Sequence, residues 1–297
     1  MALKILSASD PLPVEQLVVA IYGQPGIGKT TLAFTAEAPL LLDFDKGAYR
    51  AVGRKDTVQI ESWTDVTNIT EADLTPYKTV IVDTAGRALD VLTQDIIRRD
   101  VKMGKGGALT LQGYGRLKVE FSAWLKSLRS FGKDVLLIAH ATEQKNGDET
   151  VMRLDVQGGS KDEIYKSADV MGWLHVYANQ RNLSMNPADT AYGKNPGGLP
   201  AFTVTPADTD LMARIIGDTK AAINAKSEAV QAEFDRLKAL REELAALDSM
   251  EEFQQAADTM REQNAPARDK QILAEAVKKK GLIINRAGKV LAPGDAA

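Results

Sequence analysis

The chain has no cysteine, which removes disulfides, thiolate catalysis and thiolate metal sites together. Histidine is nearly as scarce: His140 and His175 are the only two, too few for a histidine-based zinc centre. Aromatic residues make up 6% of the sequence, and no apolar run approaches the roughly 20 residues that span a bilayer. The opening Met1-Ala2-Leu3-Lys4-Ile5-Leu6-Ser7 meets Asp10-Pro11 too soon for a signal peptide, so the expected location is the cytoplasm, with no membrane partner. Neither charge sign dominates: 37 basic against 40 acidic residues give a net charge of −3. A globally basic nucleic-acid coat is thereby excluded, and any nucleic-acid site has to be a local patch.

What remains is the composition of a globular protein, 297 residues with 44% hydrophobic and 26% charged. That length suits one large domain, or a domain plus an appendage. Residues 1–217 hold most of the glycines and all three tryptophans, Trp63, Trp124 and Trp173. Short apolar runs recur there: Leu17 to Tyr22, Pro39 to Leu42, Thr79 to Val82 and Val135 to Ala139. Continuous apolarity at strand length predicts strands buried on both faces, as in a parallel sheet. Stretches with helical spacing lie between them, such as Leu117, Phe121, Trp124, Leu125 and Leu128. The alternation predicts an α/β domain with a mostly parallel sheet. From residue 218 the texture changes to Ala, Glu, Lys and Leu. Ile223, Val230, Leu237 and Leu244 recur every seventh residue of an amphipathic helix over 220–247, packed in its own domain or paired as a short coiled coil. Helices are expected near 249–262 and 267–280, with Ser249 as start and Gly281 as stop. The tail from Leu282 is read as a short hairpin around Ala287-Gly288 or as a frayed end.

Gly23-Gln24-Pro25-Gly26-Ile27-Gly28-Lys29-Thr30 fits the phosphate-loop pattern G-x-x-x-x-G-K-[ST], with Thr31 next. Glycines let the backbone curl so that amide hydrogens point inward at phosphate oxygens. The helix opening at the loop, expected over about 28–37, adds its positive end. In this reading Lys29 can reach the β- and γ-phosphates of a bound nucleotide and the Thr30 hydroxyl can ligate Mg²⁺; the alternative is a glycine-rich structural turn. A buried-type strand leads in and a helix leads out, which is the context this chemistry requires.

Phosphoryl transfer also needs a metal holder and something to position water. Thr79-Val80-Ile81-Val82-Asp83 is an apolar strand ending in an acid, and Asp83 is the expected Mg²⁺ carboxylate. Leu41-Leu42-Asp43-Phe44-Asp45 is a second strand with acids at its end. Asp45 is either the general base for the attacking water or a surface acid before Gly47; the two acids share one side if the strand continues. Val135 to His140 is a third strand with a polar tip, and His140 is read as a γ-phosphate sensor or as a satisfied structural histidine.

This order of parts, ending in a loop and Gly158-Gly159-Ser160-Lys161, resembles the RecA-like recombinase core. More narrowly, it resembles the compact core-only RecA-like ATPases of bacteriophages, which act in single-strand annealing or recombination. The resemblance covers about residues 3–217 and implies a RecA-like P-loop core followed by a C-terminal helical region, 218–297. It implies Lys29, Thr30 and Asp83 around ATP and Mg²⁺, Asp45 where the family has a catalytic Glu, and His140 where it has a switch Gln. Gly193-Lys194-Asn195 looks like the segment that lends a lysine to the neighbouring subunit's ATP, so Lys194 or Lys161 would reach across in a homo-oligomer, filament or ring. A bacterial host's cytoplasm would be the location, and the C-terminal helices would meet a single-strand-binding or replication protein.

The family binds single-stranded DNA through two mobile loops. The first candidate here spans 98–118, where six basic residues (Arg98, Arg99, Lys102, Lys105, Arg116, Lys118) face one acid, Asp100, among five glycines and Tyr114. Positive charge on flexible backbone suits a site that tracks an unpaired strand. The second is 141–160, expected as a hairpin turning at Asn146-Gly147 and carrying Met152 and Arg153. The expected activity is therefore a Mg²⁺-dependent, DNA-stimulated ATPase that promotes strand annealing. Its rivals are a helicase or helicase-loader motor, a small-molecule P-loop kinase, and a nucleotide-gated adaptor.

Overall fold

In the computed structural model, which describes residues 13–146, 149–156, 160–285 and 288–292, the run ahead of the phosphate loop is β1 (Val18–Gly23), buried along its whole length. The chain continues through α1 (Lys29–Ala33), β2 (Pro39–Asp43), β3 (Thr57–Gln59), α2 (Trp63–Thr67), β4 (Thr79–Asp83) and α3 (Ala85–Arg99). A small hairpin, β5 (Gly104–Lys105) and β6 (Ala108–Leu109), precedes α4 (Leu111–Ser130). Then come β7 (Asp134–Asn146), β8 (Glu149–Asp155), α5 (Ser160–Ser167), β9 (Val170–Tyr177), β10 (Gln180–Ser184) and β11 (Phe202–Val204). The C-terminal part holds α6 (Leu211–Ala245), α7 (Met250–Glu262), α8 (Ala267–Lys279), β12 (Ile283–Ile284) and β13 (Val290–Leu291).

Among the described residues one sheet runs β11-β10-β9-β1-β7-β4-β2-β3, with β8 paired to β7. The strands from β9 through β3 are parallel to their neighbours, while β10 and β11 complete the sheet antiparallel. Period-2 alternation explains the continuous apolar runs. Val18, Ala20 and Tyr22 enter one core with Trp124 and Phe121, while Leu17, Val19 and Ile21 enter the other with Leu32 and Met212. Each large aliphatic side chain moved from water into such a core contributes about 1.5–3 kcal/mol. Parallel register aligns the strand tips: Gly23 lies opposite His140 and Asp43 opposite Asp83, so the chemically active residues gather at one sheet edge.

Two expectations are corrected in this unit. The helix after the phosphate loop is five residues long rather than extending to about 37. Pro39 starts β2, the residue before a proline avoids helical backbone, and Ala38 turns the chain at φ 38°. The stretch 98–118 is folded rather than a mobile loop. Gly106 and Gly107 make the tight turn of the β5–β6 hairpin at φ 61° and 82°. Gly104 and Gly113 are packing glycines: a methyl group on Gly104 would lie 2.9 Å from an Ile97 side-chain carbon, and one on Gly113 2.5 Å from the Met103 carbonyl oxygen. The expected hairpin after His140 is formed by β7 and β8, with Thr142 opposite Arg153 and Lys145 opposite Thr150. Gly147, like Gly158 and Gly159, lies outside the described residues.

The compact units divide at Asn224 and Ala225, where the sequence reading placed the change at 217 and 218. Composition shifts earlier than packing does. Leu211, Met212, Ile215 and Ile216 of α6 are buried in the first unit's core, whereas Leu237 and Leu244 are buried with Phe253, Ile272 and Leu273 in the second. The seventh-residue stripe is thus used within its own units at Leu237 and Leu244, while Val230 is exposed. In the second unit, Ser249 caps α7 in a reciprocal box with Glu252, and Gly281 ends α8 at φ 74°. Arg236 holds the buried Asp269 through two hydrogen bonds of 2.8 Å. Among the described residues no helix is long and apolar enough to cross a membrane.

Candidate nucleotide site

The phosphate loop leaves β1 at Gly23, whose backbone passes so close to β9 that a methyl group there would lie 2.4 Å from the Leu174 carbonyl oxygen. Gly26 and Gly28 take φ of 77° and 99°, the left-handed region that side chains disfavour. A cleft of about 350 Å³ opens above the loop, lined by Pro25, Gly26, Gly28, Lys29, Thr30, Thr31, Asp45, Gly47, Arg50, Asp83 and His140 among others. Lys29 is 6% exposed. Its ammonium donates to the Gly23 and Gln24 carbonyl oxygens at 2.9 Å each and lies 3.5 Å from His140 Nδ1. Burial pulls its pKa down to about 8, against the opposing pull of Asp83 and Asp45.

The Thr30 hydroxyl donates to Asp83 Oδ2 at 2.6 Å, joining the start of α1 to the tip of β4. Burial raises the Asp83 pKa, and the Thr30 hydrogen bond works against that rise. Among the described residues no group of three or more histidine, cysteine or carboxylate side chains could hold a metal on its own. One hydroxyl and one carboxylate at hydrogen-bond distance fit Mg²⁺ instead, which keeps several waters and takes phosphate oxygens as further ligands.

The two acids after β2 part company. The strand ends at Asp43, which is buried and accepts from the Gly47 and Ala48 amides at 3.1 and 3.0 Å, so it fixes a turn rather than facing the cleft. Phe44 packs edge-on against Trp124. The Phe44 and Asp45 amides both donate to the Asp83 carbonyl oxygen, at 2.8 and 3.2 Å, tying this turn to the tip of β4. Asp45 therefore lines the cleft, but Arg87 Nε lies 3.2 Å away and Arg50 Nη2 3.8 Å away. Neither arginine was singled out from the sequence, although Arg87 lies four residues after Asp83, in the first turn of α3.

His140 stands where β7 leaves the sheet: it is opposite Gly23 of β1 and also opposite Asp155 of β8. Its pKa is lowered by burial and then by the Lys29 ammonium, which keeps the ring neutral near pH 7. The ring thus stands beside Lys29 at the root of the β7–β8 hairpin.

A family model described as an AAA domain matches residues 15–196. This chain belongs to that AAA domain family. The match takes in the phosphate loop, Asp45, Asp83 and His140, so the cleft is that of a P-loop ATPase domain. The chain is also 32% identical over 145 residues to the SPbeta prophage-derived uncharacterized protein YorG of Bacillus subtilis (strain 168). That stretch covers 45% of this chain and 44% of the relative, so the chain spans less than half the length of this curated relative.

Several expected site residues of the AAA-family chain lie elsewhere or are already engaged. Arg98 and Arg99 bind the two oxygens of Asp95 at 2.6 and 2.7 Å, and Arg99 and Arg116 share Glu120 at 2.6 and 2.7 Å. Lys118 pairs with Glu163 at 2.7 Å. Lys102, in a short 3-10 turn before the small hairpin, and Lys105, on β5, have no ion pair among the described residues, and Tyr114 is 37% exposed on α4. Arg153 stacks over the Tyr192 ring at 4.9 Å, with its Nε buried. Lys194, expected to reach a neighbouring subunit, donates to the carbonyl oxygens of Tyr165 and, at 2.7 Å, Ala168. It caps the C-terminal end of α5 in its own chain, where carbonyl oxygens are left over. Lys161 lies in α5.

Proposed function

We propose that this AAA-family chain is a Mg²⁺-dependent ATPase that binds single-stranded DNA as a homo-oligomer and promotes annealing or pairing of strands. The observation that carries the ATPase reading is the 2.6 Å Thr30–Asp83 bond beside the buried Lys29 in one open cleft. Thr30 and Asp83 would hold Mg²⁺, which when bound would supply charge neutralisation for the phosphates. Lys29 gives up the Gly23 and Gln24 carbonyls and turns its ammonium to the β- and γ-phosphates. Asp45 takes the proton of the attacking water as the bond from the γ-phosphorus to ADP breaks. For this, Asp45 must first be released from Arg87 and Arg50. His140 meets the γ-phosphate and passes its presence to the β7–β8 hairpin.

The DNA reading rests on fewer cations than the sequence offers. Lys102 and Lys105 project from the β5–β6 region, and Lys145 is exposed on the β7–β8 hairpin. One subunit holds few phosphates, and repetition along a strand multiplies the salt-sensitive attraction, which favours an oligomer. The neutralisation of Arg98, Arg99, Arg116 and Lys118 inside the subunit leaves fewer cations for DNA, and equally few for the basic lid that the rival, a small-molecule kinase with no nucleic acid, would need. ATP turnover with and without oligo-dT separates the two: stimulation together with salt-dependent binding is expected, and indifference on both counts leaves the kinase.

A further inference from the structure

Arg181 lies on β10, two strands away from the phosphate loop in the sheet. Residues two apart on a strand share a face, and Leu183 is buried in the core that also holds Leu32 and Ala33 of α1. Arg181 is therefore on the α1 face of the sheet, at the phosphate-loop edge. A methyl group built on Gly28 would come within 2.7 Å of an Arg181 Nη, which places the guanidinium directly against the loop. The side chain is partly buried, and no carboxylate or carbonyl oxygen holds it among the described residues. Every other arginine near the cleft has an acid: Arg50 and Arg87 have Asp45. A partly desolvated cation pressed against the residue before Lys29, with no counter-ion, is unfavourable until an anion arrives.

Strand order tells which part of the anion it meets. β9 and β10 lie on one side of β1; β7 and β4, with His140 and Asp83, lie on the other. The γ-phosphate end belongs beside Asp83, Asp45 and His140. We infer that Arg181 is a second phosphate-gripping cation supplied by the chain to its own site, holding the α-phosphate and ribose end of the nucleotide. Val176, opposite Arg181 on β9 and 60% exposed, forms an apolar shelf beside it. The inference rests on the ATPase reading and specifies it: Lys29 and Asp83 serve the part that distinguishes triphosphate from diphosphate, and Arg181 serves the part common to both.

The test is calorimetric titration of MgATP and MgADP into the full chain, as wild type, Arg181→Ala and Arg181→Lys. Arg181→Ala should weaken both nucleotides by the same factor, about tenfold, as expected for one charge-assisted hydrogen bond. Its melting temperature without nucleotide should be equal to or above that of the wild type, because the mutation removes an unpaired, partly desolvated charge. Arg181→Lys keeps the charge without the fork and should fall between. Wild-type affinity of Arg181→Ala for both nucleotides overturns this role and leaves the phosphate-loop reading standing. A loss confined to ATP overturns the placement at the distal end. A wild-type chain that binds neither nucleotide overturns the phosphate-loop reading and this inference with it. If Arg181→Ala does not fold, Arg181→Gln gives the same outcomes.

Discussion

Residues 23–31 and 98–118 are both glycine-rich and both carry positive charge, yet they do opposite things with them. In the phosphate loop, Gly26 and Gly28 take left-handed backbone beneath an open cleft, and the Lys29 ammonium donates to two carbonyl oxygens beside a neutral histidine, with no carboxylate in ion-pair contact among the described residues. In the second stretch, Gly104 and Gly113 admit close packing, and four of six cations are matched by Asp95, Glu120 and Glu163. Charge counted along a sequence measures how many cations there are. Only the partners show how many are available to a ligand.

Three predictions probe that contrast, in order of expected size. Lys29→Ala removes the one cation that the loop is built around and should reduce ATP turnover by roughly a hundredfold or more, read as phosphate release. Retained turnover would place the ATPase site elsewhere.

The second concerns pH. Because Lys29 titrates near 8 in the free cleft, MgATP binding above that pH must take up a proton. Affinity should fall by up to about tenfold per pH unit above 8. Calorimetry in buffers of different ionisation enthalpy should show the uptake, and Lys29→Arg should lack it. The same group affects stability. Its folded pKa lies below the ordinary 10.5, so the unfolded chain binds more protons between about 8 and 10.5. The penalty of burying the ammonium is full below about 8 and fades as pH rises through that window. A Lys29→Met chain should show a flatter stability profile between those values.

The third sets available cations against neutralised ones. Lys102→Ala with Lys105→Ala should reduce the slope of log affinity for single-stranded DNA against log salt by roughly 1.4, about 0.7 for each phosphate no longer neutralised. Arg98→Gln with Arg99→Gln should leave it nearly unchanged. Equal effects from the two pairs would mean that the Asp95 and Glu120 bridges open on binding.

The fold was largely legible because its signals are local. A buried parallel strand is a continuous apolar run, and β1, β2, β4 and the first half of β7 sit where those runs predict. The phosphate loop was legible because its spacing carries its own chemistry. Asp43 was harder: whether an acid at a strand end faces a cleft or caps a turn depends on whether the strand continues, and here it stops at Asp43. Lys194 is expected to reach a neighbour only from the resemblance, and no local pattern tells that it donates to carbonyl oxygens at the end of α5 in its own chain. Arg181 carries no local signal at all. Its place at Gly28 comes from a hairpin added across two strands, which a linear pattern does not encode.

The central claim is that the cleft over Gly23–Thr31 grips a magnesium-bound triphosphate through Lys29. Titration of MgATP into the full chain at pH 8.5 tests it most directly. The account predicts one nucleotide bound per chain, proton uptake on binding, and loss of both in Lys29→Ala. Binding of equal strength in Lys29→Ala, or no binding by the wild-type chain, would contradict it.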